Sequence, residues 1–310
     1  MSYLADLMLR LTAGAARLPQ QTRARQAAYL AQAENADGGF SARQGPSDLY
    51  YTSFALRALA MLGELDDRKA ARAAGFLAER LEPQMPSIDF LSVVTAAVLV
   101  EAAAAVDVFV QAGRDRRESV IDFLQPYRRD DGGYAKTPQS GHGSTYHTFL
   151  VAACKQVVGA PLEAEVSRMV ELVRSRRRPD GGFVEIPAMR RSGTNPTAAA
   201  IGLLRMFGAL DEPTRRAAAE FLSGMQNEEG GLRANTQIPV ADLLSTFSGL
   251  VALAGIDATA AIDTAAARRF VSSLEQPRGG FRASAFEQAV DVEYTFYGLG
   301  SMALLVQAGA

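Results

Sequence analysis

The sequence predicts an all-α protein, a closed (α/α)6 toroid or barrel of six helical-hairpin repeats, and three observations lead there. Gly-Gly recurs five times, with first glycines at Gly38, Gly132, Gly181, Gly230 and Gly279, separated by 94, 49, 49 and 49 residues. Thr148, Thr197, Thr246 and Thr295 keep the same 49-residue beat, and Thr52 starts it. The segments between alternate in kind, one-sided amphipathic helices before each glycine pair and helices apolar nearly all round after it. Self-similarity at a fixed period of this size is the signature of stacked helical pairs.

Each element follows in order. MSYLADLMLRLTAGAARLP is apolar but interrupted by Asp6, Arg10 and Arg17, so an amphipathic helix within residues 1–20 is expected instead of a signal peptide. LYYTSFALRALAMLG is the first buried helix. The 94-residue interval is nearly two periods, so a degenerate copy belongs inside it, and Leu81 to Phe90 is that copy without its glycines. In LDEPTRRAAAEFLSGMQ, Asp211 and Pro213 start a helix whose stripe is Ala218, Phe221, Leu222 and Met225; Ala267, Phe270, Val271 and Leu274 repeat it. TFSGLVALAG and YTFYGLGSMALL, like the first buried helix, read as buried on both sides. Six outer and six inner helices make one toroid domain over residues 1–310, in repeats of about 45 to 50 residues.

The glycine pairs read as turns. A phosphate cradle needs further glycines and a Lys at set spacing, whereas a glycine at positive φ after a helix lets the following Phe40, Tyr134, Phe183, Leu232 or Phe281 fold back onto the core. Composition excludes other classes. Net charge is -2 over 310 residues, so neither nucleic-acid binding nor a polyanionic tail is indicated. No apolar run is expected to span a membrane, and the single Cys154, expected as a core thiol, fits a cytoplasmic protein without disulfides.

Over essentially its whole length the chain resembles the α/α toroids of protein prenyltransferase β subunits and of terpene and squalene cyclases. The resemblance is most specific in RRFVSSLEQPRGGFRASAFEQAVDVEYTFYGLG, similar to the final repeat of a Rab-type geranylgeranyl transferase β subunit, with GPSDLYYTSFALRALAMLG as the matching early repeat. The resemblance implies a zinc site whose Asp falls on Asp242, but its Cys falls on Leu244 and its His on Tyr294. It also implies a diphosphate clamp whose positions are Thr236, Pro239, Gly193 and Ser245 here. Apart from Asp242 neither set carries the family's donors, so no metal and no cofactor are expected. The cyclase branch implies an Asp-x-Asp-Asp acid, which is absent; Asp66 and Asp67 stand at an outer-helix start, where capping is expected.

Inner-helix N-termini converge at one mouth of such a ring, so the residues just before each ladder threonine share an opening. Asp48, Asp242, Asp291 and Glu293 are the candidate acids there, with His147 or Tyr294 as proton partner. Tyr50, Tyr51 and Tyr146 would touch substrate, above a wall of Phe149, Phe247, Phe296, Tyr297 and Phe54. Each Asp is also a helix N-cap, a role worth about 1 kcal/mol. Crowded acids over an apolar cavity should include one with a raised pKa. The expected function is metal-independent acid/base cyclisation or isomerisation of a hydrophobic, isoprenoid-like small molecule. The alternatives are a prenyltransferase β-like protein working with a helical α-type subunit, or a non-catalytic isoprenoid or lipid binder; a homo-oligomer is left open.

Overall fold

The computed structural model describes residues 2–308. Six inner helices, α3 (Leu49–Leu62), α5 (Ser87–Ala104), α8 (Thr145–Val157), α10 (Thr194–Met206), α12 (Leu243–Gly255) and α14 (Val292–Ala308), each pack on the next, and α14 packs back on α3. Six outer helices surround them: α2 (Gln20–Gln32), α4 (Asp67–Glu79), α7 (Arg116–Leu124), α9 (Glu163–Ser175), α11 (Glu212–Ser223) and α13 (Thr264–Leu274). The outer stripes face inward as expected: Ala218, Phe221 and Leu222, like Ala267, Phe270, Val271 and Leu274, are buried. A short helix α6 (Val108–Gln111) follows α5, and Asp66 caps α4 by accepting from Lys69 N at 2.7 Å.

The glycine pairs do something more specific than stop a helix. Gly181 lies past the end of α9 at Ser175, in a tight turn closed by Gly181 N to Arg178 O (3.0 Å) and Arg178 N to Gly182 O (2.9 Å). That turn joins Arg177 to Phe183 in a miniature hairpin, and Phe183 then bridges to Gly193, the residue before α10. The last repeat extends the same pairing into a ribbon, β1 (Phe281–Arg282) against β2 (Val290–Asp291). Glycine is required twice over. At φ +85° a side chain is strained, and a Cβ on Gly181 would stand 2.5 Å from Ala217 O on the next outer helix. Gly38, Gly132, Gly230 and Gly279 repeat this approach, so the pairs set the distance between neighbouring hairpins.

The threonine ladder completes the device. Thr148 Oγ1 accepts from Tyr134 N (2.9 Å) and donates to Ser144 O (2.6 Å); Thr197 does the same for Phe183 N (2.9 Å) and Gly193 O (2.7 Å). Thr246 accepts from Leu232 N at 2.9 Å, and Thr52 from Phe40 N at 2.8 Å. Each of these four bonds pins the residue after a glycine pair beneath an inner helix, where Phe40, Tyr134, Phe183 and Leu232 are buried; Phe281 is buried too, but is held by the β1–β2 ribbon, and Thr295 Oγ1 donates to Asp291 O at 2.7 Å. Burying one such ring stabilises by roughly 2–3 kcal/mol.

The first and last repeats meet through α2. A Cβ on Gly279 would touch Arg25 O at 2.7 Å, Gly280 N donates to Gln26 Oε1 (2.7 Å), and Arg25 pairs with Glu275. The N-terminal helix α1 (Tyr3–Ala15) lies across the ring where the inner helices end. Tyr3 N donates to Gln156 Oε1 (2.7 Å), Arg10 to Ala254 O (2.8 Å), and Gln307 to Arg10 O (2.8 Å), tying α1 to α8, α12 and α14. By length and composition alone α5 is long and apolar enough to cross a membrane, but half of it is buried inside the protein. In the ring its apolar surface is taken by α3, α4 and α8.

Gly181→Ala and Gly63→Ala separate conformational strain from close packing. Gly63 has φ +76° with nothing within 4 Å of the place a methyl group would take, so its substitution should cost about 1 kcal/mol, and that of Gly181 about 3 kcal/mol. Urea unfolding midpoints of the two variants check the difference.

Candidate functional site

The acids expected at the mouth stand at inner-helix N-termini, and three of them are caps. Asp48 accepts from Tyr51 N at 3.1 Å and is exposed. Asp242 accepts from Ser245 N and Ser245 Oγ, both at 2.7 Å. Asp291 accepts from Tyr294 N at 3.0 Å, is only 3% exposed, and has Arg43 at 3.7 Å. Burial is the main cause that raises the carboxyls of Asp242 and Asp291, the latter to about 6, against the opposing pull of their cap hydrogen bonds. A raised acid is therefore present, but desolvation more than mutual repulsion produces it.

Glu293 is different. On the first turn of α14, its Oε1 accepts from Tyr50 Oη (2.7 Å) and Tyr297 Oη (3.1 Å), while Oε2 takes no hydrogen bond among the described residues. Both phenols are raised, first by burial; Glu293 then adds to the effect. The two rings continue into an aromatic stack: Phe54 lies 4.9 Å from Tyr50, 5.3 Å from Tyr297 and 5.6 Å from Phe296. Phe247 closes on Phe296 and Tyr297 at 5.4 and 5.2 Å. Phe54, Phe247, Phe296 and Tyr297 are all buried, so they form a solid wall on the side of α3, α12 and α14.

The accessible part of the bore lies against that wall. Tyr146, on α8 opposite α14, keeps 39% of its surface exposed, yet its phenol is raised chiefly by desolvation and is also influenced by Arg57 and Glu293 from across the ring. Arg57 on α3 lies within its reach: its guanidinium sits 4.0 Å over the Phe54 ring and 4.9 Å over Phe296, and Nε donates to Ser53 O at 3.2 Å. Tyr51 stacks edge-on to Tyr50 at 5.3 Å, and Tyr294 to Tyr297 at 6.1 Å. Burial pushes the Tyr294 phenol up to about 12.

Two expected residues point elsewhere. His147 is buried in the seam with α5, its Nε2 3.4 Å from Ser87 Oγ, and desolvation with nearby Lys136 lowers it to about 4. Phe149 packs edge-on against Tyr3 of α1 at 5.3 Å, deeper in the ring. Cys154 is a core thiol, raised to about 12 by burial. Sequence reasoning missed Arg57, although it is the lone charge in an otherwise apolar α3. It also missed Glu185, whose carboxylate accepts from Ser144 Oγ and from Tyr146 N at 3.3 Å, and which no periodicity marks.

A closed ring of six helical hairpins, with α1 across the ends of the inner helices and acids and phenols at their starts, is an α/α toroid. The chain belongs to the prenyltransferase alpha-alpha toroid domain family, whose model matches residues 17–232 and 197–309. Among curated proteins, none matches it in sequence. Among solved structures it is similar to Candida albicans protein geranylgeranyltransferase-I complexed with GGPP, over 92% of each chain, with TM-score 0.72 and 14% identity. It is similar also to type II terpene cyclase MstE from Scytonema, over 97% of this chain and 98% of that one (TM-score 0.62, 16% identity). A glycosidase structure matches over 97% of both chains (TM-score 0.63, 13% identity). At these identities the likeness establishes the fold. Zinc, which the resemblance to prenyltransferases implies, does not fit these residues: both Asp242 oxygens are bonded to Ser245, and Leu244 and Tyr294 supply neither nitrogen nor sulfur.

Two buried groups should make stability respond to pH in opposite senses. With a folded pKa of about 4 against 6.5, His147 leaves the native state short of protons relative to the unfolded chain, so its contribution rises with pH across that window. With about 6 against 3.8, Asp291 gives the native state extra protons, so its contribution falls as pH rises. Each amounts to about 3 kcal/mol and the two nearly cancel. Urea melts between about pH 4 and 6.5 should therefore show His147→Gln losing stability as pH rises and Asp291→Asn gaining it.

Proposed function

We propose that the chain is a terpene cyclase-like enzyme that isomerises or cyclises a hydrophobic, isoprenoid-like substrate in the bore by proton transfer, acting in the cytoplasm. The observation that carries this is Glu293: one carboxylate oxygen is held by two phenols and the other is free, over an aromatic wall. Asp291 is the acid, because at neutral pH and below its raised pKa keeps a protonated fraction available. Its proton adds to one carbon of a substrate double bond, and Glu293 Oε2 takes a proton from a neighbouring carbon as the new bond forms. Substrate and product then share one molecular formula, and solvent resets the two carboxyls. Tyr50, Tyr146 and Tyr297 shape the chamber, while Phe54, Phe247 and Phe296 offer the π faces that suit cationic character in the substrate. Asp48 and Asp242 act as caps, His147 stiffens the α5–α8 seam, and Tyr51, Tyr294 and Phe149 position their neighbours. The solved structure of a type II terpene cyclase on the same fold supports this reading.

A second reading, a β-like subunit paired with a helical α subunit, draws on the geranylgeranyltransferase-I superposition and on exposed Met189, Ile238 and Phe286 in the loops of the last three repeats. Copurification of a stoichiometric helical partner would favour it.

Incubation with polyprenyl substrates in D2O should yield a product of unchanged formula apart from one deuterium. Glu293→Gln and Asp291→Asn should each lower turnover by about 100-fold or more, and Asp48→Asn should leave it within a few-fold. Unchanged turnover in all of Asp48, Asp242, Asp291 and Glu293 variants would exclude the reading.

A further inference from the structure

Arg57 is the one feature of the bore that proton transfer does not use. Its guanidinium lies on the faces of Phe54 and Phe296, its sole hydrogen bond among the described residues runs from Nε to Ser53 O, and it takes part in no ion pair there. The terminal nitrogens form no hydrogen bond among the described residues, while the phenols of Tyr297, Tyr146 and Tyr50 and the carboxylate of Glu293 act on the charge from a distance. Elsewhere in this molecule buried cations are paired: Lys155 with Glu165 at 2.6 Å, Arg176 with Asp131 at 3.0 Å. A half-buried charge with no bonded counter-ion is costly, and burial lowers the Arg57 pKa against the opposing pull of the nearby phenols and Glu293. It also opposes the cationic character that proton addition would create in a substrate nearby. An anion at Arg57 removes both penalties.

We propose that Arg57 is the binding site for an anionic head group, a carboxylate or a phosphate, on an otherwise hydrophobic ligand. The inference rests on the bore being the substrate chamber and names the substrate class: an isoprenoid or lipid acid that enters head first. The fork of the guanidinium matches either anion with two parallel N–H donors. Tyr146, accessible and close enough for Arg57 to influence its phenol, is placed to donate a further hydrogen bond. The apolar tail then extends from Arg57 along the wall of Phe54, Phe296 and Tyr297 toward Glu293, which puts the tail, not the head, at the proton-transfer groups.

Saturated probes test this without any turnover, because they hold no double bond to protonate. Dodecanoate, dodecyl phosphate and dodecanol are titrated by calorimetry into the purified full chain and into Arg57→Met and Arg57→Lys. The native protein should bind at least one anionic probe about tenfold or more tighter than dodecanol. Arg57→Met should lose that preference and Arg57→Lys should keep most of it; whichever anion binds tighter identifies the head group. Equal affinity for dodecanol, no binding of any probe, or a preference that survives in Arg57→Met overturns the proposal. Should circular dichroism show Arg57→Met unfolded, Arg57→Gln takes its place under the same criterion. Loss of deuterium incorporation with an intact anion preference would instead overturn the proton-transfer reading alone.

Discussion

One hydrogen bond recurs around the ring and the rest of the structure depends on it: the backbone N–H of the residue after four of the five glycine pairs, given to a ladder threonine. That N–H lies inside the protein, where an unmet donor costs about 1–3 kcal/mol. The hydroxyl meets it and returns its own proton to the carbonyl at the inner-helix cap, as Thr148 does between Tyr134 and Ser144. Loop and helix are thereby fixed to each other in four repeats, and the caps at Ser144, Gly193 and Asp242 are tied to the loops before them. In the last repeat the pairing of Phe281 with Asp291 does the same work.

Local and periodic features were legible in the sequence, and long-range ones were not. The glycine and threonine beats show because each repeat must solve the same packing problem, so the same residues return 49 positions later. The degenerate copy was visible only as a gap in the beat; there α4 runs on to Glu79 and α5 starts at Ser87, with no hairpin to require glycine. The role of the glycines was half read. Positive φ was expected, but the contact of Gly181 with Ala217 O belongs to the neighbouring repeat, and nothing local reports it. The same holds for α1, amphipathic by composition, whose three ties reach residues near the ends of α8, α12 and α14. For the site, helix-start position found Glu293, Tyr50 and Tyr146. It could not separate Tyr146, which is exposed, from His147 beside it, because adjacent residues on a helix point about 100° apart. Arg57 begins two turns below the mouth and reaches back toward Phe54, so a reading confined to the first turn passed over it.

The likeness to a transferase, a cyclase and a glycosidase at similar TM-scores has a physical basis in this division. The ladder residues and glycines hold the ring and contribute nothing to the bore, so the first-turn side chains and the inward faces of the inner helices are free to vary without weakening the frame.

In the proposed reaction, capping and acid chemistry work together at Asp291. While it carries its proton it is a weak cap, because a neutral carboxyl accepts less strongly from Tyr294 N than a carboxylate does. As the proton leaves, the charge that appears on the carboxylate faces a backbone N–H and the positive end of α14, both already in place. Desolvation keeps a protonated fraction available near neutral pH, and the helix terminus stabilises the anion as it forms. The stabilisation is therefore greater during transfer than before it, which is the condition for a fixed dipole to lower a barrier instead of merely setting a resting pKa.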